Sequence, residues 1–202
     1  MGTRGKTRSS AAACAAALAM LLAACSGSSD ADEPKASATP TPTATTPTAA
    51  AQPEGAHGVT YRIRNWDEYE SDPVVLAYKK AYEGVIASAN DKRIYPELRD
   101  GYTKKGLRDQ LPGIKQAWPD DWSLPSEALA VIESVKTSGS KATVTACVWG
   151  ESNDYRDAKG TFIDPSITRQ WNRRVGTLVK SGNTWKIDAR KTKGTCKIEA
   201  PS

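Results

Sequence analysis

In residues 141–149, small or apolar side chains alternate with side chains of other kinds, and this alternation constrains the fold more than any other feature of the chain. A period of two is typical of a β-strand that turns one face toward a core. The pattern therefore predicts a half-buried strand, preceded by a turn at residues 138–140. The small and apolar positions are Ala142, Val144, Ala146 and Val148, and the positions that alternate with them are Thr143, Thr145, Cys147 and Trp149.

Three further segments have strand character, and tight turns or polar stretches separate them. They are Ala128–Thr137, Thr168–Lys180 and Thr184–Arg190. In the last of these, three apolar residues alternate with three polar ones, and Arg190 falls among the polar ones. The short segment 59–63 also alternates, and it fits either a strand or an extended lead-in to the domain.

The first half of the domain has helical periodicity instead. Asp72-Pro73 combines a capping residue with a proline suited to the first helical turn. Apolar residues follow at steps of three and four up to Ala89, whereas Lys79, Lys80 and Glu83 are expected to face water. Two weaker helical stretches follow Tyr95 and Thr103, and Pro112 should kink the second or divide it into two short pieces. The prediction is an α+β domain, with N-terminal helices packed on a curved antiparallel sheet of about four strands.

This order of elements, together with residues 144–149 and 183–187, resembles the NTF2-like, or cystatin-like, superfamily. The resemblance covers about Pro73 to Ile198, and it implies a sheet curved around helices to form a cone. The sequence especially resembles small exported lipoproteins of high-GC Gram-positive bacteria, most of which have no assigned activity.

The N-terminus indicates export. Three basic residues precede an apolar run at residues 11–22, which is too short for a membrane-spanning helix of about 20 residues. The run ends in Leu22-Ala23-Ala24-Cys25, which resembles the lipobox of bacterial lipoproteins. That resemblance implies cleavage before Cys25 and attachment of diacylglycerol and fatty acyl chains, such as palmitate, to Cys25.

The expected organisation is a signal peptide at residues 1–24, the lipidated Cys25 with a disordered Thr/Pro/Ala linker to residue 57, and a domain at residues 58–202. The protein should lie on the extracytoplasmic face of the cell membrane, held by diacylglyceryl-Cys25. The domain after residue 57 has 24 lysines and arginines against 19 acidic residues, and its positive charge suits an anionic wall polymer; an envelope protein is a further candidate partner. Basic residues are scattered without a run, which argues against nucleic acid; the oligomeric state stays open.

Cys147 and Cys196 should form a disulfide, because they are the two cysteines left in an exported chain after Cys14 is removed and Cys25 is acylated. A metal site would need further ligands, and the only histidine, His57, lies in the expected linker. We therefore expect no metal and no cofactor.

The sequence favours a ligand- or partner-binding or scaffolding module. One alternative is a ketosteroid isomerase-like or cyclase-like enzyme, which would need a positioned base and a hydrogen-bond donor inside an apolar cone; Asp109 and Tyr82 are the residues that could project inward. Another is an accessory subunit of an envelope transport or secretion complex. We assign no catalytic residue. Aromatic side chains with one polar end suit a pocket, and the candidates are Tyr78, Tyr82, Trp118 and Trp171.

Overall fold

The computed structural model describes residues 51–167 and 169–201. The predicted signal peptide, Cys25 and the linker up to residue 50 lie outside the described residues. Within the described part, three α-helices pack on a five-stranded sheet, which confirms the predicted α+β class. No helix among these residues is long and apolar enough to cross a bilayer.

The strands follow each other in sheet order β1-β2-β3-β4-β5. In the described residues the sheet has five strands rather than about four, because segment 60–63 joins it as β1, parallel to β2. The other pairs are antiparallel, and glycines at positive φ, Gly139 and Gly182, form the tight turns after β2 and β4. The bounds are β1 Thr60–Ile63, β2 Glu127–Ser138, β3 Lys141–Trp149, β4 Trp171–Ser181 and β5 Thr184–Cys196.

The helices lie between β1 and β2 in the chain. They are α1 Pro73–Asn90, α2 Pro96–Gly101 and α3 Lys104–Lys115. The Asp72 carboxylate caps α1 as predicted, accepting hydrogen bonds from the N–H groups of Val74 at 2.7 Å and Val75 at 3.2 Å. Pro112 does not divide the second of the two weaker stretches into two pieces, because α3 continues through this exposed residue to Lys115.

The two faces of the sheet have different cores. Residues Ala142, Val144, Ala146 and Val148 are buried toward the helices, as the alternation predicts. On the other face, a smaller cluster surrounds a disulfide between Cys147 and Cys196, whose Cα atoms are 6.1 Å apart. This bond joins β3 to β5, the strands that flank β4.

Residues 51–57, which the low-complexity composition assigns to the linker, contact the domain. The Gln52 amide donates to the carbonyl of Tyr61 at 2.5 Å and accepts from the N–H of Ile63 at 2.8 Å. The Lys79 ammonium donates to the carbonyl of Pro53 at 3.1 Å and pairs with Glu83. Both charged side chains are buried, so the expectation that they face water is wrong.

Candidate ligand-binding site

Four tyrosines from different parts of the chain meet between α1 and the sheet. Tyr61 lies on β1, Tyr78 and Tyr82 lie on α1, and Tyr102 precedes α3. The ring centroids of Tyr61 and Tyr82 are 4.4 Å apart, and that of Tyr78 lies 5.9 Å from Tyr61 and 6.0 Å from Tyr82. Each residue is at most 3% exposed. We refer to these four residues as the tyrosine cluster.

Arg190 of β5 brings a positive charge to this cluster. Its guanidinium carbon lies 4.5 Å from the centroid of the Tyr82 ring, a cation–π geometry. The residue as a whole is half-buried, but its Nη1 atom is buried. The guanidinium therefore packs on the Tyr82 ring with its Nη1 atom enclosed.

A bulge in β5 turns Arg190 inward. In the ladder with β4, Ile187 pairs with Leu178 and Ala189 pairs with Thr177, so Asp188 is the extra residue. An extra residue shifts the side-chain alternation by one, which places Arg190 on the same face as Ile187. The sequence pattern assigns Arg190 to the polar face, and the bulge overturns that assignment.

The start of α3 holds this bulge in place. Thr103 donates its N–H to the carbonyl of Ile187 at 2.9 Å and its hydroxyl to the carboxylate of Asp188 at 2.8 Å. Gly106 lies so close that a Cβ there would be 2.4 Å from the carbonyl oxygen of Ile187. The helix and the bulge are therefore fitted to each other, and together they orient Arg190.

Gly176 of β4 makes room for the Tyr78 ring. It is the partner of Arg190 in the ladder, and a Cβ on it would lie 2.6 Å from Cε2 of Tyr78. The ring consequently packs directly on the strand beside the arginine.

Several polar atoms of this interior have no hydrogen-bond partner among residues 51–167 and 169–201. They are the hydroxyl groups of Tyr61, Tyr78 and Tyr102 and the Nη1 atom of Arg190. The hydroxyl groups of Tyr61 and Tyr78 make no well-formed hydrogen bond, but they lie close enough for Tyr78 to contribute to the raised pKa of Tyr61. The Tyr82 hydroxyl differs, because it donates to the side chain of Asn153. A buried polar group without a partner costs about 1–3 kcal/mol, so such a concentration calls for a bound molecule or water.

Burial keeps the interior phenols neutral. Desolvation raises the pKa of Tyr61 well above its ordinary value of 10.0 and also raises that of Tyr102. It raises the pKa of Tyr155, whose hydroxyl donates to the carbonyl of Gly113 at 3.0 Å, to about 12. Burial by itself lowers the pKa of Arg190, but the neighbouring tyrosines, Tyr102 first, raise it overall. At neutral pH the site therefore presents a cation and uncharged hydroxyl groups.

Alkali should destabilise the fold through these tyrosines. The folded state retains their protons above pH 10.0, where the tyrosines of the unfolded chain lose theirs, so the free energy of unfolding falls as pH rises beyond that value. Urea unfolding at about pH 8 and about pH 11, with tyrosinate absorbance recorded in parallel, measures both effects. Titration of all seven tyrosines together near 10.0 would contradict this prediction.

Tyr78→Phe should leave stability at neutral pH unchanged or raise it by up to about 2 kcal/mol, because the hydroxyl it removes is buried without a partner. Tyr82→Phe is the matched control, since it removes a hydroxyl that donates to Asn153, and it should cost about 1 kcal/mol. Urea unfolding compares the two variants. A clear loss of stability in Tyr78→Phe would mean that the hydroxyl has a partner.

The carboxylates near the interior have other partners. Glu83 pairs with Lys79 and accepts the N–H of Tyr61 at 2.9 Å. Asp154 is buried, which raises its pKa, and it accepts the N–H of Asp164 at 3.1 Å. Asp109 is exposed and pairs with Lys105, whose hydrogen bond lowers the pKa of Asp109. In the described residues no carboxylate is paired with Arg190, and the isomerase-like alternative gains no support from this geometry.

The structure does not bring the four predicted pocket residues together. Tyr78 and Tyr82 belong to the tyrosine cluster. Trp118 is half-buried and packs against the main core. Trp171 lies in the disulfide cluster on the other face of the sheet, where it contacts Trp149. No pattern in the sequence indicated that Tyr61, Tyr102 or Arg190 belongs to the site.

A scan against protein-family models found no match, and a search of curated proteins found none either. Solved structures are similar at low identity. A protein from Xanthomonas campestris, described as a putative calcium/calmodulin-dependent protein kinase II association domain, is 12% identical, with a TM-score of 0.38, and the alignment covers 61% of this chain and 87% of that one.

Two other matches have descriptions closer to the predicted fold. An NTF2-like protein of unknown function from Shewanella baltica is 16% identical, with a TM-score of 0.37, over 65% of this chain and 98% of its own. A domain of unknown function with a cystatin-like fold from Nostoc punctiforme is 8% identical, with a TM-score of 0.42, over 63% and 81%. With all three TM-scores below 0.5, we draw neither a family nor a function from them.

Proposed function

We propose that this protein is a ligand-binding module of the cell envelope, attached to the membrane through a lipid on Cys25. The observation that supports binding is the set of buried polar atoms without partners around Arg190. An interior that served only stability would be better filled by phenylalanine and leucine, because unpaired buried polar groups are costly. In the described residues, four of the eight such side-chain atoms belong to the tyrosine cluster and Arg190, and functional sites commonly carry a cost of this kind.

The position of Arg190 determines where a ligand would bind. The residues of the tyrosine cluster are buried, whereas Arg190 is half-buried, so a ligand would reach this interior at Arg190. A ligand there would contact the arginine directly and bring a hydrogen-bond acceptor close to the buried hydroxyl groups.

Native mass spectrometry tests the binding function. The mature protein is extracted in detergent from its own membranes and measured under native and denaturing conditions. We expect an adduct that persists in the native spectrum and is lost on denaturation. A native mass equal to that of the acylated polypeptide alone would count against the proposal.

The attachment to the membrane is supported by the charged start, the short apolar run and the tetrapeptide that ends at Cys25. Two or more acyl chains make release negligible, since each buried methylene contributes about 0.8 kcal/mol. Cys25→Ala should therefore leave the protein uncleaved or release it from the membrane. Fractionation with mass determination measures both properties, and Cys14→Ala is the matched control. A cleaved Cys25→Ala variant that stays with membranes would exclude the lipid anchor.

A further inference from the structure

Two arginines lie side by side on the face of the sheet that carries the tyrosine cluster. In the ladder between β4 and β5, Arg174 pairs with Thr192, and Gly176 pairs with Arg190. Arg174 lies two residues before Gly176, so its side chain is on the face of β4 where Gly176 meets Tyr78, the face toward the helices. Because Arg190 is opposite Gly176, Arg174 and Arg190 are diagonal neighbours across the two strands. Adjacent like charges on one face repel each other, so this arrangement has a cost.

Both arginines retain unused donors. The Nε atom of Arg174 and the Nη1 atom of Arg190 are buried and have no hydrogen-bond partner in the described part of the chain. Arg174 does donate to the hydroxyl of Thr192, which is neutral and leaves its charge uncompensated. No carboxylate among these residues pairs with either arginine, although Arg173, next in the chain, pairs with Glu133 at 2.7 Å.

We propose that the ligand carries an oxyanion, a carboxylate or phosphate group, that binds between Arg174 and Arg190 and accepts a further hydrogen bond from the tyrosine cluster. This inference rests on the binding function proposed above. Guanidinium groups suit such a partner because their planar N–H groups match the spacing of carboxylate and phosphate oxygens. An anion at this position would offset the repulsion between the arginines. It would also supply acceptors to the Nε atom of Arg174 and the Nη1 atom of Arg190.

Benzoate and benzamide are suitable probes, because they have the same shape and differ in charge. Calorimetric titration of the mature protein in detergent should show that benzoate binds at least about tenfold more tightly than benzamide. Arg190→Gln and Arg174→Gln should each abolish that preference. Arg173→Gln is the matched control, since it removes an arginine of the same strand that is already paired, and it should keep the preference.

Tyr78→Phe provides a variant that preserves the charges and the packing. It should weaken benzoate binding between about twofold and tenfold, the range for one hydrogen bond. Far-UV circular dichroism and thermal unfolding confirm that each variant is folded. If Arg190→Gln does not fold, the effects of Arg174→Gln and Tyr78→Phe on benzoate binding test the proposal.

The outcomes separate this inference from the proposed function. Equal binding of both probes, or a preference that survives Arg174→Gln, overturns the oxyanion and leaves a binding module. A neutral molecule retained in the native mass spectrum would likewise overturn the oxyanion and leave a binding module. Absence of binding by either probe, together with the absence of a retained molecule, overturns both. A preference for benzoate that depends on both arginines supports the inference.

Discussion

Glu83→Ala should cost about 3–5 kcal/mol of the free energy of unfolding, the largest loss that we expect from a single charged residue. The substitution leaves the Lys79 ammonium buried without its anion and deprives the N–H of Tyr61 of its acceptor. It also loosens residues 51–57, because Lys79 holds the carbonyl of Pro53. Urea unfolding at neutral pH measures the loss.

Glu127→Ala is the matched control for this prediction. Glu127 also pairs with a cation, Arg62 at 2.9 Å, but its side chain is 53% exposed, so its removal should cost less than about 1 kcal/mol. Replacing Lys79 and Glu83 together by Met and Leu should recover most of the stability, since no buried charge is left unpaired. Similar losses for Glu83→Ala and Glu127→Ala would show that the burial of Lys79 does not matter.

Removing the disulfide, by Cys147→Ala together with Cys196→Ala, should cost about 4 kcal/mol. The two cysteines are 49 residues apart, and the value follows from the entropy that this loop regains in the unfolded chain. The change also removes both sulfur atoms from the smaller cluster, where they pack with Trp171. The measurement is urea unfolding of the variant and of the oxidised parent protein.

The reduced parent protein is the control that separates packing from covalent linkage. It keeps both sulfur atoms, so it should lie between the oxidised protein and the double variant. If the oxidised and reduced proteins had the same unfolding midpoint, the bond would make no contribution, and the account of the smaller cluster would be wrong.

Local patterns predicted the elements whose stabilising groups lie close together in the chain. The bounds predicted for β3, Lys141–Trp149, are those of the structure, because one alternating run and one turn define it. The start of α1 was also predictable, since Asp72 caps N–H groups two and three residues further on.

The site could not be predicted because its geometry depends on contacts between distant segments. A bulge at Asp188 reverses the direction of Arg190, and Thr103, 85 positions earlier in the chain, holds that bulge at the start of α3. Likewise, Lys79 and Glu83 match the polar side of a helix until residues 51–57 pack over them. Neither effect leaves a period that can be read from the sequence.

One signal in the composition did point to a polar interior. The chain has seven tyrosines and one phenylalanine, although either residue fills a core. Tyr61, Tyr78 and Tyr102 are buried at positions where phenylalanine would pack equally well and leave no hydroxyl without a partner. A preference for the more costly residue at several buried positions is evidence of a site.

A crystal structure of the mature protein, purified from its own envelope without added anions, tests the central claim most directly. The account predicts electron density for a molecule other than water beside Arg190, with an acceptor atom about 3 Å from its Nη1 atom and a second contact to Arg174. If ordered water alone satisfied Arg190 and the hydroxyl groups of the tyrosine cluster, the interior would be a hydrated core, and the claim that it binds a ligand would be contradicted.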